Sequence, residues 1–406
     1  MYMFYVYFRM RTVLLTKFRF IHLDNEGTVG RKVRHLPPLF LLYVLLLSGC
    51  GLVDEDTTDC LPSAPSDSAA TAVTFTVPGE SGETRTAEGT QDLVSLQTDG
   101  FGVFACHHGI HPYVSSDVKP DFMYNQLVTW ETSWRTWDYE PVKYWPAGDG
   151  TEENGEYLTF YAYAPYTSTL QGCVTDFSRP TEAGDPWLVY QLGGTRDDWQ
   201  TSQVDLLWAF TKDRQKGKDP SVRVPFYFRH ALATAGDKVT LASTDILASR
   251  LRSFVSGEVE EAKLVVGCLT LTYTLLKKGR LVLSGESEPN WQFVASDDPT
   301  VERVSSPVDT GSYPGGLTVA GANASGSWVE DVTSVENLGI FYIPLQVTAH
   351  RQTVEVTAEY NVVTTATDGT VATPFSGSVS RLITLDAVAG CSQDIRLILS
   401  DTLPLE

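Results

Sequence analysis

Short segments in which apolar residues fill every second position recur along this chain of 406 residues, and that period of two limits the fold more than any other feature. Successive side chains of an extended chain point to opposite faces, so each such segment reads as a strand with one buried face. Val73, Phe75 and Val77 form one set, and Leu158, Phe160 and Ala162 another within Tyr157 to Ala164. Val354, Val356 and Ala358 repeat the pattern, and Ile395, Leu397 and Leu399 repeat it last. The segments are rich in Val, Thr, Tyr and Phe, with Gly, Pro, Asn and Asp clusters between them. Helical periodicity is scarce, the best stretch running from about Thr244 to Ser253, which excludes an alternating βαβ architecture. The pattern predicts an all-β chain with two antiparallel β-sandwich domains in tandem, residues 72–236 and 237–406, joined at Ala235-Gly236-Asp237.

Ahead of the first strand lies a segment of different character. Leu36 to Leu47 is an apolar run of twelve residues behind Arg31, Lys32 and Arg34. At about 1.5 Å per residue it spans about 18 Å, short of a hydrocarbon core of about 30 Å, so it reads as a secretory signal and not as a membrane span. Leu47-Ser48-Gly49-Cys50 resembles a bacterial lipobox. That resemblance implies cleavage between Gly49 and Cys50 and lipidation of Cys50, with several acyl chains holding the product at the membrane. Residues 1–49 are thus expected to be a presequence, of which 1–30 exceed a normal signal and point to a start nearer Val29 or Val33. Residues 50–71, mostly Ser, Thr, Asp and Pro, read as a flexible tether. Asp54, Glu55 and Asp56 resemble the acidic signals that send some lipoproteins to the outer leaflet, so the expected location is the outer membrane surface.

Charge and missing motifs narrow the function. The formal net charge is −20, and removing residues 1–49, with seven basic and two acidic residues, brings it to −25. Such a surface repels phosphate, so nucleic acid is not an expected partner. Five cysteines follow Cys50 without zinc-site spacing. No G-x-S-x-G, P-loop, H-E-x-x-H or dinucleotide fingerprint is present, so neither catalysis nor a cofactor is expected. Cys106, His107, His108 and His111 have metal-ligating side chains, but neighbours on a strand face opposite ways, so the cluster converges only in a loop. Asp149, Glu152, Glu153 and Glu156 could offer oxygens to calcium but lack the spacing of an EF-hand loop, and read as a solvated hairpin tip.

The string from Asp121 to Pro146, followed by Tyr157 to Tyr166, resembles the fimbrillin family, the lipoprotein pilin-like proteins of Gram-negative anaerobes. Asp205 to Trp208, Val224-Pro225-Phe226 and Phe228 to Leu232 look like that family's closing segment of the first domain. Phe341-Tyr342-Ile343-Pro344 and Leu382-Ile383-Thr384-Leu385 continue the order. The resemblance implies a fimbrial subunit or a tip or accessory adhesin in a fimbrium, partnered by other subunits or by itself, and meeting host or bacterial surface glycans or proteins. It also implies processing after an arginine, for which Arg85-Thr86 is the candidate, and strand exchange through a groove that the first strand, Val73, Phe75 and Val77, would vacate. The last strand, with Ile395, Leu397 and Leu399, is the other candidate groove or donor strand; only Thr402 to Glu406 follow it, so if it completes the second sandwich no spare donor segment remains and a tip or accessory role is favoured over a stalk. Trp137, Tyr139, Tyr144 and Trp145 read first as aromatic pins of a sheet corner, and alternatively as a stacking platform for a sugar. The competing function is a monomeric surface glycan- or ligand-binding lipoprotein on the same sandwiches.

Overall fold

A computed structural model describes residues 71–78, 93–146, 155–166, 172–192, 203–216, 223–276, 278–293, 302–309, 316–330, 333–336, 338–345 and 351–405. All of these belong to one compact unit, Pro65–Glu406. Among the described residues the chain is mostly β, arranged in four sheets. The first is eight-stranded, in the order Arg229–His230, Leu207–Arg214, Tyr157–Ala164, Phe101–Gly109, Met123–Glu131, Thr136–Asp138, Phe75–Thr76, Val224–Pro225. It curls around its own core, because Phe75, Val103, Trp137, Phe160, Ala209 and Phe226 meet in a single apolar cluster.

The central strands of this sheet depart from the expected one-sided burial. Leu158 through Ala164 are all buried, as are Phe101 through Cys106. Phe101, Val103, Phe160 and Ala162 face the inner cluster, whereas Phe104, Tyr161 and Tyr163 face a second one. There they meet Leu188 and Tyr190 of a four-stranded sheet ordered Asn290–Gln292, Lys278–Val282, Trp187–Gln191, Val174–Phe177. Both faces are covered, so the aromatic residues between the alternating positions are core residues too.

The later strands keep clean alternation. Thr353–Ala366 buries Val354, Val356, Ala358, Tyr360 and Val362 and pairs with the seventeen-residue strand Val259–Leu275 on one side and Val371–Thr384 on the other. This larger sheet, which also holds Glu302–Asp309, Leu317–Asn323 and Gly326–Val329, packs on a sheet built around Ala233–Ser243. Ser392–Leu399 lies beside Ala233–Ser243 and turns Ile395, Leu397 and Leu399 into the core.

Pairing is antiparallel nearly throughout, as expected, with two parallel exceptions among the described residues: Phe75–Thr76 with Val224–Pro225, and Ser392–Leu399 with Ala233–Ser243. In each, a terminal segment returns beside a distant strand. The division expected at residues 236 and 237 falls inside Ala233–Ser243, where the ladder slips between Ala235 and Val239. Gly236 has φ of 84°, and a Cβ there would lie 2.4 Å from the Tyr273 hydroxyl, so glycine answers both the backbone and the packing. Across this point Trp187–Gln191 pairs with Lys278–Val282 over five positions, stitching earlier to later sequence.

The helical stretch read near Thr244 is Asp245–Arg250 followed by a 3₁₀ turn, Leu251–Phe254. The Thr244 hydroxyl accepts from Leu247 N at 3.2 Å and caps the helix, which buries Leu247, Ala248 and Leu251. A second helix, Leu93–Asp99, has too short a period to stand out in the sequence. Among the described residues no helix is long and apolar enough to cross a membrane.

Candidate functional site

The first strand is the feature most unlike an ordinary sheet element. Val73 and Phe75 point inward, each 1% exposed, Thr74 points out, and Val77 packs at the rim of the inner cluster. One side of the strand meets residues 137–145: Phe75 lies opposite Trp137, Val73 N donates to Lys143 O at 2.9 Å, and Trp145 N donates to Thr71 O at 2.9 Å. The other side meets residues 224–226: Val224 N donates to Thr74 O at 2.8 Å and Phe226 N to Thr76 O at 2.9 Å. Among the described residues, two chain segments that do not pair with each other are therefore joined in one sheet by this strand.

Phe75 anchors it. Its ring centroid is 5.3 Å from Tyr139 and from Phe226, 5.9 Å from Phe160 and 6.4 Å from Phe101. Phe and Tyr pairs at such separations contribute about 0.5–1.5 kcal/mol each beyond their buried area. Tyr139 adds a polar tie, donating its hydroxyl to Val73 O at 2.8 Å. Burial pushes this phenol up to about 12, which keeps it protonated and donating.

The aromatic residues read as corner pins are placed accordingly. Trp137, Tyr139 and Trp145 are buried around the first strand, and only Tyr144 of that set, 52% exposed, faces solvent. The surroundings of Phe75 were not legible from spacing, since Phe101, Phe160 and Phe226 come from three distant parts of the chain. The motif Val224-Pro225-Phe226 was visible, but its place as the parallel neighbour of the first strand was not.

Cys50, Gly49, Arg85 and Thr86 lie outside the described residues, as do Asp149, Glu152 and Glu153. Ile395, Leu397 and Leu399 form an integral core strand of the chain itself. Among the described residues no group of three His, Cys, Asp or Glu side chains is placed to hold a metal. Cys106 is sealed in the core, where desolvation drives its thiol upward and away from a thiolate. His107 points out and sets Nε2 2.8 Å from Glu156 Oε2; His108 is half-buried, its imidazole held down by desolvation; His111 is exposed. Strand alternation separates the cluster. His230 sets Nδ1 2.5 Å from Oδ2 of the fully buried Asp205, tying the strand Arg229–His230 to the residues just ahead of Leu207–Arg214.

Residues 84–256 match the model of the fimbrillin-like family. No match exists among curated proteins. Among solved structures, a fimbrial protein from Bacteroides vulgatus ATCC 8482 shares 18% identity with a TM-score of 0.56, covering 82% of this chain and 96% of that one, and so shares the fold. A candidate cell adhesion protein from Bacteroides uniformis ATCC 8492 aligns over 79% of this chain and 99% of its own at 13% identity, with a TM-score of 0.35. The motifs from Asp121 to Leu232 fall inside the matched span and those after Phe341 fall beyond it, so the likeness to the fimbrillin-like family is carried by residues 84–256.

Proposed function

We propose that this protein is a non-catalytic fimbrial subunit or tip or accessory adhesin, held at the outer membrane surface by lipid on Cys50, in which the first strand is a removable plug. Cleavage after Arg85 would free the segment that ends in that strand, carrying the lipid with it. The vacated slot, bordered by residues 137–145 and 224–226, would then accept a strand from another subunit. The observation that supports this reading is that a single short strand lies between two segments that do not pair with each other, seated by the Phe75 ring in an aromatic pocket. Strand addition suits such a slot because main-chain bonds supply affinity and side-chain pockets supply register. The two sandwich halves are taken to meet near Gly236, where the ladder slips.

Treating the chain with an arginine-specific protease tests the proposal. Ladders on semi-native gels are expected from the native chain and not from Arg85→Ala; a monomer after complete cleavage at Arg85 counts against strand exchange. Loss of membrane association in Cys50→Ala tests the anchor separately, and unchanged fractionation rejects it.

A further inference from the structure

One sheet edge is left open on a scale the others are not. The outer strands of the first sheet have two residues each, and those of the Lys278–Val282 sheet have three and four. Val371–Thr384 has fourteen, paired on one side with Thr353–Ala366, and no strand among the described residues takes its other side. Proteins ordinarily blunt long edges with charges, prolines or bulges, because a row of open N–H and C=O groups is a template for another strand. Here Pro374 lies where the ladder slips, between the pairs of Val362 and Thr364. Beyond it, Phe375 to Thr384 runs in unbroken register with a single charge, Arg381, in a chain of net charge −20.

The residue order of this edge says what fits it. Phe375, Val379 and Ile383 lie on the core-facing side, only partly buried because the sheet ends there. They are spaced evenly about Val379, so a second copy running antiparallel through Val379 sets Phe375 against Ile383 and Val379 against itself. The same register sets Ser378 against Ser380 and Ser376 against Leu382, which is 71% exposed. Arg381 then falls opposite Gly377 and never opposite itself. A two-fold interface requires one patch to complement itself, and this stretch matches apolar to apolar at Phe375/Ile383 and Val379, hydroxyl to hydroxyl at Ser378/Ser380, and opposes no like charges. We infer that Val371–Thr384 is an interface with a second copy of this chain, the two edges pairing antiparallel about Val379 into one continuous sheet. The acidic charge of the chain directs contact to this place, since no Asp or Glu occurs between Val371 and Thr384. The interface is independent of the slot around Phe75, so it stands or falls apart from strand exchange.

Site-directed cross-linking of the full chain tests it. At a two-fold strand position the Cα atoms approach to about 4.5–5.5 Å, within disulfide reach, so oxidised Val379→Cys is expected to give a dimer on non-reducing gels. Ala372→Cys, on the same strand but outside the register, is the control, and both are read against the unaltered chain because Cys391 is exposed. Adding Ser378→Lys and Ser380→Lys to Val379→Cys opposes like charges twice and is expected to cut the cross-linked yield about tenfold. Ser378→Lys with Ser380→Glu pairs opposite charges and is expected to restore it. Cross-linking at Val379 no stronger than at Ala372, or a yield indifferent to the Lys/Lys and Lys/Glu exchange, overturns the inference.

Discussion

Replacing Phe75 by alanine probes how the first strand is held. The side chain is 1% exposed and touches four aromatic rings, two of them with centroids at 5.3 Å. Truncating a buried phenylalanine costs about 3–5 kcal/mol, from lost transfer free energy and the cavity left behind. Phe101 and Phe160 sit in central strands, and Tyr139 and Phe226 directly follow the strands Thr136–Asp138 and Val224–Pro225, so the rings cannot collapse far and the middle of that range applies, about 4 kcal/mol. At about 1.4 kcal/mol per tenfold, the folded-to-unfolded ratio falls about a thousandfold. Urea unfolding followed by tryptophan fluorescence reads it directly, because Trp137 and Trp145 lie in the same cluster. Thr74→Ala, on the exposed side of the same strand, is the matched control and should stay within about 0.5 kcal/mol. A loss below about 1 kcal/mol for Phe75→Ala would refute the reasoning, since it would mean that the strand does not seat its anchor in the core. A loss of the expected size also implies that Phe75→Ala releases the strand more readily, and faster ladder formation after cleavage should accompany it.

Gly236→Ala combines a positive φ with a Cβ placed 2.4 Å from the Tyr273 hydroxyl, and should cost about 2–4 kcal/mol in the same urea assay. Thr244→Ala removes the cap of the helix Asp245–Arg250 and should cost about 1 kcal/mol, with Thr244→Ser retaining most of the stability. Tyr139 is raised by burial from 10.0 to about 12, so its contribution is complete below pH 10 and is lost as pH rises through about 12. Stability against alkali should therefore fall across that window, and Tyr139→Phe, followed by tyrosinate absorbance and unfolding together, should flatten the fall.

Alternation carried the later strands faithfully because they bury one face: Val354, Val356, Ala358 and Ile395, Leu397, Leu399 all point inward. The same rule read only half of Tyr157–Ala164, where Tyr161 and Tyr163 are as deeply buried as Phe160, because a second sheet covers what alternation assigns to solvent. The helix Asp245–Arg250 was legible through the helical periodicity near Thr244 to Ser253, whereas Leu93–Asp99 buries only Leu96 and leaves no period to see. Of the candidate site, Val73 and Phe75 were visible as a strand, but their partners were not. Trp137 and Val224 lie far along the chain, and no local pattern records which distant edges a strand joins.

That separation bears on the order in which the molecule is made. Phe75 leaves the ribosome long before Trp137, and well before Val224, its parallel neighbour, exists. Contacts between segments so distant in sequence form slowly, since a long loop must close before either edge rewards it. The first strand synthesised is thus among the last that can be fully paired, since Val224 must be made before its second edge is covered. Under the proposed strand exchange, a chain that fills its slot last would pass, in folding, through the same open form that cleavage after Arg85 would produce.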